Sequence, residues 1–182
     1  MMKTERLILR PWCDDDLEPF AKMNADPRVR EYFPRVLTSK ESDESVRWFS
    51  AHIQKSGWGF WAASLVDSGE FIGFIGLQNA QPLANFAPAV EIGWRLAQEH
   101  WGRGYATEGA RAALKYGFDT LNLEEIVSYT ALDNYRSRHV MEKIGMFHNP
   151  AEDFDYLKFP DGHPLRRHVI YRLAKSEWCS KS

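Results

Sequence analysis

Apolar and polar residues alternate over residues 4–11, which is the pattern of a β-strand. The next residues have the spacing of a helix. The aspartates at 14–16 suit the N-terminus of this helix, where the backbone N–H groups carry partial positive charge, and Asp26-Pro27 ends the helix. A capping box at residues 38–41 begins a second helix, which is predicted to end near Gly57. The first third of the chain therefore predicts one strand and then two helices.

The middle of the chain predicts three consecutive strands. Two apolar runs, residues 60–66 and 71–77, are joined by Asp67-Ser68-Gly69-Glu70, which is typical of a hairpin turn. A third run, residues 90–96, follows a loop that contains proline. Because no helical pattern separates these runs, they predict an antiparallel meander.

The last third of the chain predicts alternating helices and strands. Residues 105–121 are predicted to form a helix. The side chains on its inner face are small, so the helix can lie close to a sheet. The small residues are Ala106, Ala110, Ala113 and Gly117. A strand at 126–132, a helix capped by Asn134 and a strand at 168–173 follow. We therefore predict a single α+β domain over residues 1–182, with a mixed, mostly antiparallel sheet flanked by helices.

Composition narrows the range of partners. The 182 residues include 23 Lys and Arg against 25 Asp and Glu, a net charge of -2, which argues against a general nucleic-acid or anionic-membrane binder. Cys13 and Cys179 lack the spacing of metal ligands and the histidines are scattered, so we expect no metal and a reduced, cytoplasmic protein. The aromatic content, 14%, is compatible with a homodimer.

Residues 101–109 carry the strongest functional signal. Their glycines allow a tight turn in which N–H groups converge at a helix N-terminus, and Arg103 adds positive charge, so the turn predicts a phosphate site. A plain strand-to-helix turn is the structural alternative. A nucleotide P-loop requires Gly-Lys-Ser or Gly-Lys-Thr where Tyr105-Ala106 stand, and a dinucleotide motif requires glycine where Thr107 stands. ATP, GTP and nicotinamide cofactors are thus disfavoured.

Four segments together carry a family resemblance. They are residues 91–96, 101–108, 133–137 and 141–146. The turn fits the pattern Q/R-x-x-G-x-G/A, with Trp101 in the first position and then Gly104 and Ala106. On these motifs the chain, from residues 6–10 to 171–173, resembles the GNAT superfamily of acyl-CoA-dependent N-acetyltransferases. Within it, the RimJ/RimL-like branch, whose members acetylate the N-termini of ribosomal proteins, is the most similar.

The resemblance implies where acetyl-CoA binds. Strands 90–96 and 126–132 are expected to splay apart, so that the pantetheine arm pairs with backbone groups of the first strand while the pyrophosphate lies on the glycine turn. Trp101 replaces the usual Gln or Arg, but backbone amides make most of the phosphate contacts. The cofactor-binding residues implied are Trp94, Arg95, Leu96, Trp101, Gly102, Arg103, Gly104, Tyr105, Ala106, Thr107, Asn134, Ser137 and Arg138.

The resemblance also implies direct attack of a neutral primary amine on the thioester. Glu91 is the candidate base, acting directly or through water; the alternative is a carboxylate paired with a nearby arginine. Met141 stands where many members have a tyrosine that protonates the leaving thiolate. Ser137 is the candidate substitute donor, unless its hydroxyl only bonds the helix backbone.

The acceptor is expected to be a protein N-terminal α-amine or a small amine, since substrate choice depends on variable segments. A catalytically idle acyl-CoA-binding or sensing module is the alternative function.

Overall fold

Nine strands form one sheet at the centre of the computed structural model, which describes residues 1–80 and 86–179. The strands are β1 (Met2–Lys3), β2 (Leu7–Arg10), β3 (Phe60–Leu65), β4 (Phe71–Asn79), β5 (Val90–Leu96), β6 (Glu125–Ala131), β7 (Phe147–His148), β8 (Phe154–Asp155) and β9 (Arg167–Ala174). The helices are α1 (Leu17–Ala25), α2 (Ser39–Ser56), α3 (Tyr105–Lys115), α4 (Tyr135–Lys143) and α5 (Lys175–Cys179).

The strand order is β1-β2-β3-β4-β5-β6-β9-β7, and β8 pairs with β9. All pairs are antiparallel except β5 with β6, which is parallel and has a single register pair, Glu91 with Val127. Next to it the Ser128 hydroxyl donates to the carbonyl of Ile92 over 2.9 Å. Beyond this point the two strands diverge. The predicted α+β fold, with its mixed sheet and splayed central strands, is confirmed.

The two faces of the sheet are covered differently. On one face α3 packs closely, and its cluster includes Leu7, Ile75, Leu77, Ala110, Ala113, Leu114 and Ile126. The other face is covered in two separate halves. The first half, under α1 and α2, contains Phe20, Met23, Val29, Val46, Phe49, Phe60 and Phe74. The second, next to β6 and β9, contains Val127, Phe154, Tyr156, Phe159 and Ile170. The diverging strands therefore form the floor of a gap between the two halves.

Local signals explain the helix ends. The Thr38 hydroxyl accepts the N–H of Glu41, as the capping box requires, and Gly57 ends α2 in the left-handed conformation at φ 80°. Asn134 caps α4 by accepting the N–H of Ser137. None of the helices among the described residues has the length and apolarity needed to cross a bilayer.

Two predicted boundaries need correction, and three short strands were not predicted. The first predicted strand begins only at Leu7, because Thr4 and Leu7 bond each other in a turn. The helix predicted over 105–121 is α-helical only to Lys115, and residues 116–120 form a wider π-helical turn that contains the buried Phe118. The strands β1, β7 and β8 have two residues each, too short for any periodic pattern.

Gly73 keeps β4 close to β5, and its replacement is expected to be costly. A Cβ there would lie 2.1 Å from the carbonyl oxygen of Arg95, and φ is 139°. We expect Gly73→Ala to lower the free energy of unfolding by about 3 kcal/mol, because overpacking and a conformation restricted to glycine each cost about 1 to 3 kcal/mol. Urea unfolding measures this loss.

Gly69, in the turn between β3 and β4, provides the matched control. Its φ is 74°, and a Cβ there would meet no described atom within 4 Å. Gly69→Ala should therefore cost only about 1 kcal/mol, from the left-handed backbone alone. Equal losses in the two variants would contradict the role given to Gly73.

Candidate functional site

A cavity of about 1010 Å³ opens where β5 and β6 diverge. Both strands, the segment between α1 and α2, the glycine turn and the start of α4 line it. Twelve of the residues expected at the site lie on its wall: Glu91, Trp94, Arg95, Leu96, Trp101, Gly102, Gly104, Tyr105, Ala106, Thr107, Asn134 and Ser137.

The glycine turn presents free backbone amides to this cavity. Gly102 and Gly104 have φ of 73° and 83°, a left-handed conformation that side chains disfavour. Gly104 caps α3, and its carbonyl accepts the first helical hydrogen bond, from the N–H of Glu108 at 3.0 Å. The N–H groups of residues 105–107 therefore have no partner within the helix, which suits a phosphate.

The turn is anchored on both sides. The Trp101 indole donates to the carbonyl of Leu96 over 2.8 Å, which fixes the turn to the end of β5. The guanidinium of Arg6 donates to the Arg103 carbonyl over 2.9 Å and forms an ion pair with Glu108 at 2.6 Å. Arg103 itself is absent from the cavity wall, so its backbone rather than its side chain is held near the site.

Glu91 is buried on the cavity floor, with 9% of its surface exposed. Burial raises the pKa of its carboxyl to about 7, although the Tyr129 hydroxyl and the charge of Lys158 act in the opposite direction. No arginine forms an ion pair with Glu91 among the residues that the structure describes, so the alternative of an arginine-paired carboxylate is wrong. A carboxyl with this pKa exchanges protons near neutral pH.

The start of α4 provides the opposite wall. Asn134 donates from Nδ2 to the Thr130 hydroxyl over 2.9 Å while it caps the helix. Over the described part of the chain the Ser137 hydroxyl takes part in no hydrogen bond, so it is not used by the helix backbone. Arg138 points elsewhere: it donates to the Leu132 carbonyl over 2.9 Å and to the Tyr171 hydroxyl over 3.3 Å, outside the cavity wall. Met141 is buried against the cavity and has no proton to donate.

Some charged residues of the cavity wall, such as Arg30 and Arg136, were not predicted. The segment between α1 and α2 reaches across the open end, where the Tyr32 hydroxyl donates to the Asp133 carbonyl over 3.1 Å and Glu31 pairs with Arg136 at 2.5 Å. The Arg136 guanidinium also lies 4.5 Å from the Trp101 ring centre. No periodicity or motif marks this segment, because its position depends on contacts about a hundred residues away in sequence.

The family profile described as acetyltransferase (GNAT) domain matches residues 6–147. The chain belongs to the GNAT acetyltransferase family. It is 34% identical over 147 residues to the uncharacterized protein YkkB of Bacillus subtilis, covering 80% of this chain and 84% of that protein. It is 30% identical over 184 residues to an FsC-acetyl coenzyme A-N(2)-transacetylase of Aspergillus fumigatus, covering 97% and 77%.

Solved structures agree with this GNAT assignment. An acetyltransferase (GNAT family) from Bacillus anthracis has a TM-score of 0.80 at 27% identity, covering 96% of this chain and 98% of that one. The protein is therefore an N-acetyltransferase whose family uses acetyl-CoA as co-substrate, and the free amides and the split sheet suit such a molecule. The described residues contain no group of three or more His, Cys, Asp or Glu that could hold a metal.

The raised pKa of Glu91 predicts a pH-dependent cost. The folded carboxyl titrates near 7 against 4.5 for its ordinary value, so stability falls as pH rises from about 4.5 to 7 and stays lower above that. Glu91→Gln removes this cost. We expect it to raise the free energy of unfolding by about 2 to 3 kcal/mol at pH 8 relative to its effect at pH 4. Urea unfolding at both values tests this; a pH-independent difference would contradict it.

Proposed function

We propose that this GNAT enzyme transfers the acetyl group of acetyl-CoA to a primary amine by direct attack in the cleft between β5 and β6. The observation that carries the proposal is the split itself. After the pair of Glu91 and Val127, backbone groups of β5 lose β6 as a partner, so an extended pantetheine arm has a strand edge to pair with. A buried carboxyl with a pKa near 7 lies at the closed end of the split.

The cofactor roles follow the wall of the cavity. Backbone groups of Trp94, Arg95 and Leu96 pair with the pantetheine arm, whose thioester then lies towards Glu91, where a β5 N–H polarises its carbonyl. Amides at residues 102–107 hold the pyrophosphate, with Trp101 as a side wall. Asn134 contacts the pantetheine arm. Arg138 is engaged outside the cavity, so its role is limited to the part of coenzyme A that leaves the cleft.

The base must make the amine neutral, because only the neutral form is nucleophilic. An α-amine with a pKa of about 7.7 to 8.0 needs under about 1 kcal/mol for this, whereas a lysine amine needs about 4 kcal/mol. Glu91 takes the proton directly or through one water. The amine nitrogen forms a bond to the thioester carbon and then releases its second proton to water, the carbon–sulfur bond breaks, and coenzyme A leaves as a thiolate.

Ser137 is the proposed donor to the departing sulfur. Its hydroxyl is uncommitted within the described residues and lies on the cavity wall, whereas Met141, at the position of the usual tyrosine, has no acidic proton. Because a thiolate with a pKa near ~8.5 is a moderate leaving group, Ser137 contributes less than Glu91.

The acceptor class proposed is a protein N-terminal α-amine or a small amine. The similarity of residues 91–96 and 101–108 to the RimJ/RimL-like branch supports the former. The Aspergillus fumigatus relative is named an FsC-acetyl coenzyme A-N(2)-transacetylase, which supports acetylation of a nitrogen atom. A cytoplasmic location remains part of this proposal, as does the absence of a nucleic-acid partner.

Glu91→Gln tests the chemistry. With acetyl-CoA and a panel of N-terminal peptides and small amines, thiol release should be lower by about 100- to 10,000-fold, because general base catalysis contributes that much. In the wild type, kcat/KM should rise with pH through about 7, where Glu91 ionises, and this limb should be absent from the variant. Ser137→Ala should lower kcat by a smaller factor.

Glu18, exposed on α1, provides the control: Glu18→Gln removes a carboxylate far from the cleft and should leave kcat unchanged. If the wild type bound acetyl-CoA but released no thiol with any amine, the idle acyl-CoA-binding module would be the correct function.

Gly104→Ala tests the phosphate turn. The left-handed φ of 83° costs any other residue about 1 to 2 kcal/mol, so the turn should shift and the Kd of coenzyme A should rise by about tenfold. Gly69→Ala carries the same kind of backbone cost in a remote hairpin and should leave the Kd unchanged. Isothermal titration with coenzyme A measures both; an unchanged Kd in Gly104→Ala would exclude these amides as the phosphate site.

A further inference from the structure

Arg95 is a cation on the cleft floor with an unused donor. It follows Glu91 by four residues on β5, so both side chains lie on the same face of the sheet. Its Nη1 donates to the side-chain oxygen of Asn24 over 2.9 Å. Its Nε is shielded from solvent and has no hydrogen-bond partner among the residues that the structure describes. Buried donors of this kind are rare in proteins, and each calls for a missing acceptor.

A second arginine lies beside it. Arg30, from the segment between α1 and α2, is 8% exposed and also lines the cavity. Its Nε donates to the Arg35 carbonyl over 2.9 Å. The guanidinium carbons of Arg30 and Arg95 each lie 4.2 Å from the ring centre of Phe33, so one ring holds both cations. The cleft thus contains a pair of neighbouring guanidinium groups.

No acid neutralises this pair. Among the described residues neither arginine has an ion-pair partner, and Glu41, the acid whose charge reaches Arg30, is already bound by Arg35 and by the Thr38 N–H. Burial and the charge of Arg30 lower the pKa of Arg95 to about 9, while burial lowers that of Arg30 to about 10. Buried cations without a counter-charge are costly, so the cavity favours an anion at this point.

The anion is distinct from the phosphates of coenzyme A. Arg95 lies 5.2 Å over the Phe74 ring, in the core under α1 and α2, whereas α3 and its phosphate turn pack on the opposite face of the sheet. Between Glu91 and Arg95 the same face of β5 carries only Gly93. Glu91 and Arg95 therefore start roughly 13 Å apart along the strand, and the Phe60 ring packs against Gly93 between them.

We propose, on the basis of the proposed function, that the acceptor is an acidic amine, whose carboxylate or phosphate binds Arg95 and Arg30 while its amino group lies towards Glu91. The unpaired Nε of Arg95 and the free edge of Arg30 provide charge-assisted hydrogen bonds to the oxyanion. The same two cations repel a polyamine, which disfavours that class of acceptor.

Three amines of similar length test this preference: n-butylamine, 4-aminobutyrate and 3-aminopropylphosphonate. Thiol release by the wild type should give a kcat/KM about tenfold or more higher for the better of the two acids than for n-butylamine, and the comparison of the acids separates carboxylate from phosphate. Arg95→Met and Arg30→Met should both lose the preference. In Arg30→Met, which does not change the cofactor strand, the KM for acetyl-CoA should change by less than about twofold. Arg95→Lys, which keeps the charge, should retain part of it. Arg47→Gln removes an exposed arginine of α2 outside the cavity and should retain all of it.

A binding measurement separates this proposal from the proposed function. Glutarate should raise the Tm of the wild type and Arg47→Gln, both saturated with coenzyme A so that the phosphate turn is filled, but not that of Arg95→Met. If no amine is acetylated while this difference persists, the proposed function fails and the anion site stands. If charged and neutral amines are acetylated equally, or glutarate stabilises Arg95→Met as much as the wild type, the acidic-acceptor proposal is overturned. A raised KM for acetyl-CoA in Arg30→Met with the acid preference intact would overturn it as well.

Discussion

The separation of β5 from β6 is the constraint on which the rest of the structure depends. Each strand is fully paired on its outer side: β5 pairs with β4 over seven residue pairs, and β6 pairs with β9 over seven. Opening the gap therefore removes only the backbone hydrogen bonds between β5 and β6. The parallel contact is reduced to Glu91 with Val127 and the Ser128 side-chain bond. Unpaired backbone groups beyond this point need a partner, and an extended ligand in the gap provides it.

The electrostatics of the cleft differ between the two faces of the sheet. At the glycine turn the anion-binding groups are neutral amides, so a polyanion can be met by a chain with a net charge of -2. On the other face of the sheet the groups are ionisable: Glu91 at the closed end and Arg30 are buried, and Arg95 is half-buried. Neither arginine has an ion-pair partner among the described residues, which destabilises the ligand-free state and raises the gain from binding an anion.

The elements that the sequence predicts well are those set by local chemistry. The capping box at Thr38, the cap at Asn134 and the glycines at 102 and 104 each act on atoms within a few residues, so their outcome is visible in the chain itself. Other features depend on contacts that form only as the chain folds. They are the end of α3, the two-residue strands and the proximity of Arg30 to Arg95. Arg30 and Arg95 are 65 positions apart, and the packing of both guanidinium groups on Phe33 brings them together.

In the proposed reaction, the two ionisable ends of the cleft act on opposite charges of one acceptor. A free amine arrives mostly as an ammonium ion, and ionised Glu91 attracts it before accepting its proton. A base with a pKa near 7 is about half ionised at neutral pH, so the same carboxyl serves both steps. The arginines attract the other end of an acidic acceptor and hold its amine near the base. In this proposal so weak a base is sufficient, because holding the amine beside Glu91 lowers the barrier to its attack.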